Sequence, residues 1–530
     1  MDVETGYSRR WWALLALCLS LVVIGMDNTI LNVALPTLVR DLQADASELQ
    51  WIVDSYVLVF AGLLLTMGAL GDRFGRRLSL NAGFVIFGAG SIASAFAPSA
   101  AALIGTRALM GVGSALIMPS TLSIITNIFP SKERGRAIAV WAAVAGAGIV
   151  AGPVVGGWLL EHFWWGSVFL INVPIIAIAL IVGGFLVPES KDPAATPLDP
   201  VGALLSIGGL TALVYGIIEA PDNGWTHAIT LSAFGIAMVL LALFLVWELR
   251  IDHPMLRISF FKNPRFTAAS LAITLVFFAL FGTVFLLTQH LQFVLGYSPL
   301  QAGFRVTPIA TLILAAPISA RLVEKVGTKA VVAGGLVIVA ASLTLLAGID
   351  ATSGYGPIAA ALSALGLGMG ATMAPATDSI MGSLPLAKAG VGSAMNDTTR
   401  MVGGALGVAV IGSIVSSGYT SSIQPTLAML PSQAAAVAGD SIGGALQVAG
   451  RIGPAGDQLS SAARLAFVDA MGNAVLVAAA VALFGAMIVL AFLPSRPSSP
   501  ARHKKVTAAD GPRPDTIAPA SESKGRVRTQ

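Results

Sequence analysis

The chain has 530 residues, of which 55% are hydrophobic and only 11% are charged, and its formal net charge is +4. Soluble domains carry about 25% charged residues, so this composition excludes an ordinary soluble protein and indicates a polytopic membrane protein. The single cysteine, Cys18, excludes a disulfide framework and a thiolate metal site. The basic residues are spread over short loops, so we expect no nucleic-acid partner and no other acidic one.

The first apolar segment begins at Trp12, directly after the basic residues Arg9 and Arg10. It is too long for the apolar region of a secretory signal peptide, it contains Asp27, and it has no Ala-x-Ala cleavage site. We therefore interpret it as the first membrane-spanning helix.

Apolar windows of about 20 residues recur along the chain and predict about fourteen membrane-spanning helices. We therefore predict an all-α integral membrane protein. The predicted spans lie near residues 12–36, 50–71, 79–97, 101–128, 137–160, 166–187, 200–219, 227–247, 266–295, 300–322, 330–348, 355–381, 389–415 and 465–493.

Positive charges alternate between the predicted loops. Every second loop is basic, as at Arg73, Arg76 and Arg77 or at Lys325 and Lys329, whereas the intervening loops carry little positive charge. The positive-inside rule then places both termini in the cytoplasm, which requires an even number of spans.

An internal repeat relates two of these basic loops. The stretch from Gly68 to Arg77 matches the stretch from Ala320 to Lys329 with a constant offset, 324 − 72 = 252. The second and tenth spans therefore correspond, which fits two six-helix halves with two helices inserted between them, as in transporters built from parallel repeats. We predict an N-terminal bundle at 1–190, the inserted pair at 191–255 and a C-terminal bundle at 256–494.

Two segments differ from the rest in composition. Residues 416–463 are rich in Ser, Ala, Gly and Gln and predict a long external loop with short helices near 433–450. Residues 495–530 combine Pro, Ser and charge with almost no apolar content, which predicts a disordered cytoplasmic tail.

Charged residues within the spans are the strongest functional candidates, because an ionisable group in hydrocarbon is costly and usually marks an ion or substrate path. Asp27 lies roughly 22 Å from the start of the first span, and Asp54 and Arg107 fall at comparable depth. A packing role alone is disfavoured for Arg107, because a lone buried charge needs a partner. Asp54 is either part of the same centre or a solvated acid at a helix end.

The second half carries its own charges on the thirteenth span. Asp397 and Arg400 are i,i+3 neighbours that can pair on one helix face, either as a structural ion pair or as a gate that opens when Asp397 is protonated. Asp378 on the twelfth span is a secondary candidate.

A substrate cavity is expected between the halves. Phe277, Phe281 and Phe285 recur every four residues on the ninth span and are followed by Gln289. Aromatic faces attract organic cations, although such a stripe also suits packing or lipid contact. On the first span we assign Asn28 and Asn32 to this cavity, and we include Asp378 from the twelfth.

Small residues form a stripe on the fifth span. Gly148, Gly152 and Gly156 recur every four residues, followed by Gly157, and Pro153 adds a kink. Such a face lets a neighbouring helix approach closely, either as plain packing or as a seam that can seal and bend.

Taken in order, several stretches resemble the fourteen-helix drug:proton antiporters of the major facilitator superfamily, the QacA-like multidrug exporters. The resemblance covers nearly the whole chain to about residue 494. The matching stretches are Asp27 through Pro36, Trp51 through Asp54, Gly68 through Arg77, Arg107 with Gly111 and Gly113, Gly148 through Gly157, and Ile171 through Pro174.

The resemblance implies the major facilitator fold and proton-coupled export of lipophilic, often cationic drugs, dyes or antiseptics across the bacterial cytoplasmic membrane. It implies a monomer that uses protons as coupling ion and needs no other cofactor. Asp27, Arg107, Asp54, Asp397 and Arg400 would couple protons. Asp72 would latch the two halves through a basic partner across their interface, within a loop formed by Gly68, Arg73, Gly75 and Arg77.

Two other functions are weighed. Export of an endogenous lipid or metabolite would use the same architecture. A membrane enzyme is disfavoured because five scattered histidines and one cysteine supply no catalytic cluster, and no Walker or HExxH pattern occurs. A sensor would need a folded soluble output domain, for which the tail is too short and too polar.

Overall fold

The structure is a computed structural model that describes residues 8–191, 198–254, 256–383, 389–453 and 455–495. Every regular element in these ranges is helical. The predicted tail at 495–530 lies outside the described residues, apart from Ser495.

We call the helices between Arg10 and Leu186 the N-terminal half; the last apolar segment in it is broken into two helices at Ile171. Its elements are α1 (Arg10–Asp41), α2 (Ala46–Phe74), α3 (Arg76–Ala95), α4 (Ala100–Ile128), α5 (Ser131–His162), α6 (Ser167–Leu170) and α7 (Asn172–Leu186).

We call the next two long helices the inserted pair and the helices from Pro264 onward the C-terminal half. The inserted helices are α8 (Pro200–Ile218) and α10 (Ala228–Arg250), joined through the short α9 (Ala220–Asn223). The C-terminal elements are α11 (Pro264–Gln289) with a π-helical turn (His290–Val294), α12 (Pro299–Val306), α13 (Thr311–Val326), α14 (Thr328–Ala347), α15 (Tyr355–Gly382), α16 (Ala389–Leu427), α17 (Ser432–Asp440), α18 (Ile442–Ala449) and α19 (Ala455–Phe492).

Within the described residues, thirteen helical segments are long and apolar enough to cross a membrane. The remaining predicted span, near 137–160, coincides with α5. The chain is therefore a multi-pass membrane protein. We call the side on which α1 begins the proximal face and the side on which α1 ends the distal face.

The predicted loop 416–463 is shorter in the structure than in the sequence prediction. Helix α16 continues to Leu427 and α19 begins at Ala455, so only a short segment with two small helices remains between them. The extension of α16 buries Tyr419 and Ile423. Protein packing rather than lipid stabilises these turns, which explains why a window based on apolar residues ends too early.

The internal repeat is visible in the backbone. Gly75 (φ 133°) links α2 to α3, and Gly327 (φ 87°) links α13 to α14 at the equivalent position. Both positions require positive φ, which glycine adopts readily. The two loops are therefore the same structural element in the two halves.

The two halves meet near the distal face. The Gln292 side-chain amide donates to the Val33 carbonyl at 2.9 Å, across the interface. Gly157 lies against Leu300, and Gly303 lies against the Pro153 carbonyl, so neither position has room for a Cβ atom. These contacts close the distal side of the interface.

Candidate functional site

A buried ion pair joins the first and fourth spans. Arg107 Nη1 lies 2.5 Å from Asp27 Oδ2, and the two side chains are 2% and 0% exposed. Each charge needs the other, because an unpaired charge at this depth would lose its hydration without compensation. The partner that the sequence predicts for Arg107 is therefore Asp27.

Neighbouring groups fix this pair in one geometry. Asn172 donates to Asp27 Oδ1 at 3.4 Å and to Ser91 Oγ at 3.1 Å. Arg107 Nε donates to the Ile52 carbonyl at 3.3 Å, and its guanidinium lies 4.3 Å from the centre of the Tyr56 ring. Sequence reasoning assigned no role to these neighbours, although Asn172 stands out as an amide at the start of an apolar helix.

Asp54 is buried but separate from the ion pair. Its exposed fraction is 0%, and neither carboxylate oxygen has a hydrogen-bond partner among the described residues. A solvated acid at a helix end, one of the two alternatives for Asp54, is therefore excluded.

The glycine stripe of α5 packs against the same part of α1. A Cβ atom at Gly148 would contact the Val22 carbonyl, and one at Gly152 would overlap Thr29 Oγ1. Thr29 Oγ1 also donates to the Ile149 carbonyl at 2.9 Å. The stripe therefore forms a close seam with α1, while Gly157 on the neighbouring face contacts α12.

A central cavity with about 1050 Å³ of empty space, part of it open to solvent, lies between the halves. On α1 and α11 the cavity residues precede Val33 and Gln292 of the distal contacts, so the cavity lies on the proximal side of that contact. Its wall is largely apolar and includes Phe277 and Phe281. The polar wall groups are those of Asn28, Thr29, Thr307, Asp397 and Arg400.

The ion pair in the cavity wall is looser than the one at Asp27. Arg400 Nη1 lies 3.7 Å from Asp397 Oδ1, and the two side chains are 23% and 12% exposed. The guanidinium lies 5.5 Å from the centre of the Phe277 ring, and its Nε has no partner among the described residues. The predicted i,i+3 pair therefore exists, with hydrogen-bonding capacity to spare.

The other predicted cavity residues divide into three groups. Phe285 and Gln289 line a second, smaller pocket nearer the distal face. Asn32 is buried, and its amide donates to the Asn28 carbonyl. Asp378 is exposed and is not among the wall residues of the central cavity, so the structure does not bring it to the predicted substrate site.

The basic loop between α2 and α3 differs from the predicted latch. Asp72 Oδ1 pairs with Arg76 Nε at 2.8 Å, one helical turn away in the same half. Arg77 donates to the Gly184 carbonyl. The described partner of Asp72 is therefore a residue of the same half, and the latch across the interface stays a prediction.

The fold and the buried charges together define a class of transporter. The sequence profile of the Major Facilitator Superfamily matches residues 17–408, and the chain belongs to this family. The predicted family and the all-helical fold are thereby confirmed.

Named relatives place the chain among drug exporters of this family. It is 40% identical to the multidrug efflux pump LfrA of Mycolicibacterium smegmatis over 485 residues, covering 91% of this chain and 96% of that protein. It is 33% identical to the tetracenomycin C resistance and export protein of Streptomyces glaucescens, covering 91% of each chain. It is 36% identical to the methyl viologen resistance protein SmvA of Salmonella typhimurium, covering 87% of this chain and 93% of that protein.

Among solved structures, the fold resembles a bacterial homologue of the human lysosomal transporter Spinster in an inward-facing, unoccupied conformation. The TM-score is 0.65 at 19% identity, covering 92% of this chain and 99% of that one. At this identity the likeness concerns the fold alone.

Proposed function

We propose that this chain is a multidrug exporter that moves lipophilic, often cationic compounds out of the bacterial cell in exchange for protons. The proximal face would be cytoplasmic, with both termini on that side. One observation carries the proposal: Asp27 contacts Arg107, while the adjacent Asn28 and Thr29 line the central cavity. A proton site and a substrate site thus share one turn of α1.

Proton binding at Asp27 changes the forces on α1. A neutral carboxyl group no longer holds Arg107 by charge, so the attraction between α1 and α4 weakens. Because α1 forms a close seam with α5 through Gly148 and Gly152, its displacement moves two helices that line the cavity. A neutral group also crosses the closed interface at a lower free-energy cost than a carboxylate.

The cavity suits lipophilic cations. Its wall is mostly apolar, and the rings of Phe277 and Phe281 can attract a positive charge. Asn28 Oδ1 has no hydrogen-bond partner among the described residues, and Asp397 supplies a carboxylate. Methyl viologen, in the name of one relative, is a dication that such a wall could accept.

The driving force is sufficient for concentrative export. Exchange of one proton for one neutral substrate moves one net charge, and a membrane potential of 100 mV then supplies about 2.3 kcal/mol, which corresponds to a gradient of several tens-fold. Exchange of one proton for one monovalent cation moves no net charge, so the pH gradient alone drives it, about tenfold for each pH unit.

Transport by purified protein tests the proposal. Proteoliposomes with an imposed pH gradient should move ethidium against its concentration, and a protonophore should stop this movement. Liposomes carrying the Asp27→Asn variant should match empty liposomes. Ethidium transport that continues unchanged after the gradient is collapsed would contradict proton coupling.

A further inference from the structure

We propose that a second, smaller pocket near the distal face binds a small organic ammonium group, as a separate station on the exit route of cationic substrates. The pocket has about 400 Å³ of empty space. The assignment of the exit route rests on the proposed function, whereas the ammonium site itself can be tested without transport.

Both halves build this distal pocket. Helix α2 contributes from the N-terminal half, and α11, α16 and α19 contribute from the C-terminal half, with the junction of α17 and α18 on one side. It therefore lies in the interface that must open for release toward the distal face. Its lining includes Gln50, Phe285, Gln289, Tyr419, Asp440 and Phe467.

Gln50 provides the evidence that this pocket is built to bind a ligand. The residue is only 1% exposed, and its Nε2 donates to the Ala46 carbonyl at 3.2 Å. Its Oε1 is buried and has no hydrogen-bond partner among the described residues. A buried amide oxygen without a partner is destabilising, so a hydrogen-bond donor bound in the pocket would be favoured.

The residues that line the distal pocket indicate that its ligand carries a positive charge. The lining presents the amide oxygens of Gln50 and Gln289, the carboxyl group of Asp440 and three aromatic rings, and it contains no lysine or arginine. Acceptors together with ring faces are the combination that recognises ammonium groups. An anion would find no positive charge among these wall residues.

Asp440 adds a pH dependence to this site. Burial is the main cause that raises the pKa of Asp440 to about 7, and the nearby carboxylates of Asp45, Asp222 and Glu48 raise this pKa further. A hydrogen bond from the Ala46 backbone N–H acts in the opposite direction and lowers the pKa. Tyr419 is the titratable group that faces it from α16. Because only the ionised carboxylate attracts a cation, binding should weaken about tenfold between about pH 8 and about pH 6.

Saturation-transfer NMR with tetramethylammonium tests the site on the full chain in nanodiscs. At about pH 8 the wild-type chain should give a saturable signal. The signal should disappear in Asp440→Asn and weaken at least several-fold in Gln50→Met. The matched control is Asp222→Asn, which removes a neighbouring charge without altering the wall and should retain binding within about twofold.

Two results would overturn the inference. One is wild-type binding that is unchanged in both Asp440→Asn and Gln50→Met. The other is binding that disappears in Asp397→Asn instead, which would place the cation in the central cavity. If Asp440→Asn fails to fold, Gln50→Met and the wild-type pH profile still decide the question.

Failure here and failure of the proposed function give different results. If wild-type protein exports ethidium but shows no Asp440-dependent binding, the proposal of a distal site is wrong and the proposed exporter function stands. If the chain shows Asp440-dependent binding but moves no dye against a gradient, the proposed exporter function is wrong and the distal site stands.

Discussion

The two halves each bury an acid–base pair, but the pairs differ in construction. Asp27 and Arg107 come from different helices, lie 2.5 Å apart and are essentially inaccessible. Asp397 and Arg400 lie on one helix, are 3.7 Å apart and face the cavity. A closed, hydrogen-bonded pair responds to a proton but not to a drug, whereas an open pair can exchange partners with a ligand. We infer that the ion pair of the N-terminal half couples protons and that the ion pair of the C-terminal half contacts substrate.

The largest effect is expected from Asp27→Asn, which breaks the tight pair. Removing one partner of a buried ion pair costs about 3–5 kcal/mol and leaves Arg107 unpaired, so export should be abolished and stability should fall. Thermal unfolding in detergent and ethidium transport measure the two effects. Asp41→Asn is the matched control, because Asp41 is an exposed acid at the end of the same helix; it should behave as wild type.

The double variant Asp27→Asn with Arg107→Gln sharpens this result. With both charges gone, no unpaired charge remains, so most of the lost stability should return while export stays absent. Export that returns together with stability would show that the pair is structural only.

Gly152→Ala should have the next largest effect, because it disrupts the close packing of α5 against α1, the helix that carries Asp27 and lines the cavity. The new methyl group would overlap Thr29 Oγ1. Overpacking of this kind costs about 1–3 kcal/mol, and we expect slower transport and a lower unfolding temperature. Gly105→Ala, with no atom within 4 Å of the added Cβ, is the control and should leave both unchanged.

Asp397→Asn should change selectivity more than stability, because this pair is open to the cavity. Export of cationic dyes should fall several-fold relative to an uncharged substrate, since the wall loses its carboxylate. Parallel transport assays with one cationic and one neutral compound measure the ratio. An equal loss for both compounds would assign Asp397 to coupling rather than to recognition.

The smallest effect is expected from Asp378→Asn. This acid is exposed and does not line the cavity, so dye export should stay within about twofold of wild type. A loss comparable to that of Asp397→Asn would mean that the cavity extends further along α15 than its described wall.

Local patterns were sufficient to predict the helices, the internal repeat and the i,i+3 pair, because each depends on residues close together in sequence. It was harder to predict which buried side chains contact each other. Depth along the helices placed Asp27, Asp54 and Arg107 at one level, yet only packing decides that Arg107 contacts Asp27 and that Asp54 stands apart. Rotation about each helix axis likewise decides that Phe281 lines the central cavity while Asp378 does not.

Proton release on substrate binding tests the central claim most directly. Purified protein in a weakly buffered solution is mixed with ethidium, and the pH change is followed with an indicator dye. If Asp27 exchanges a proton against substrate, wild-type protein that is first equilibrated at a pH low enough to protonate Asp27 should release protons on binding, and Asp27→Asn should bind without release. Equal release by both proteins would contradict the assignment of coupling to Asp27.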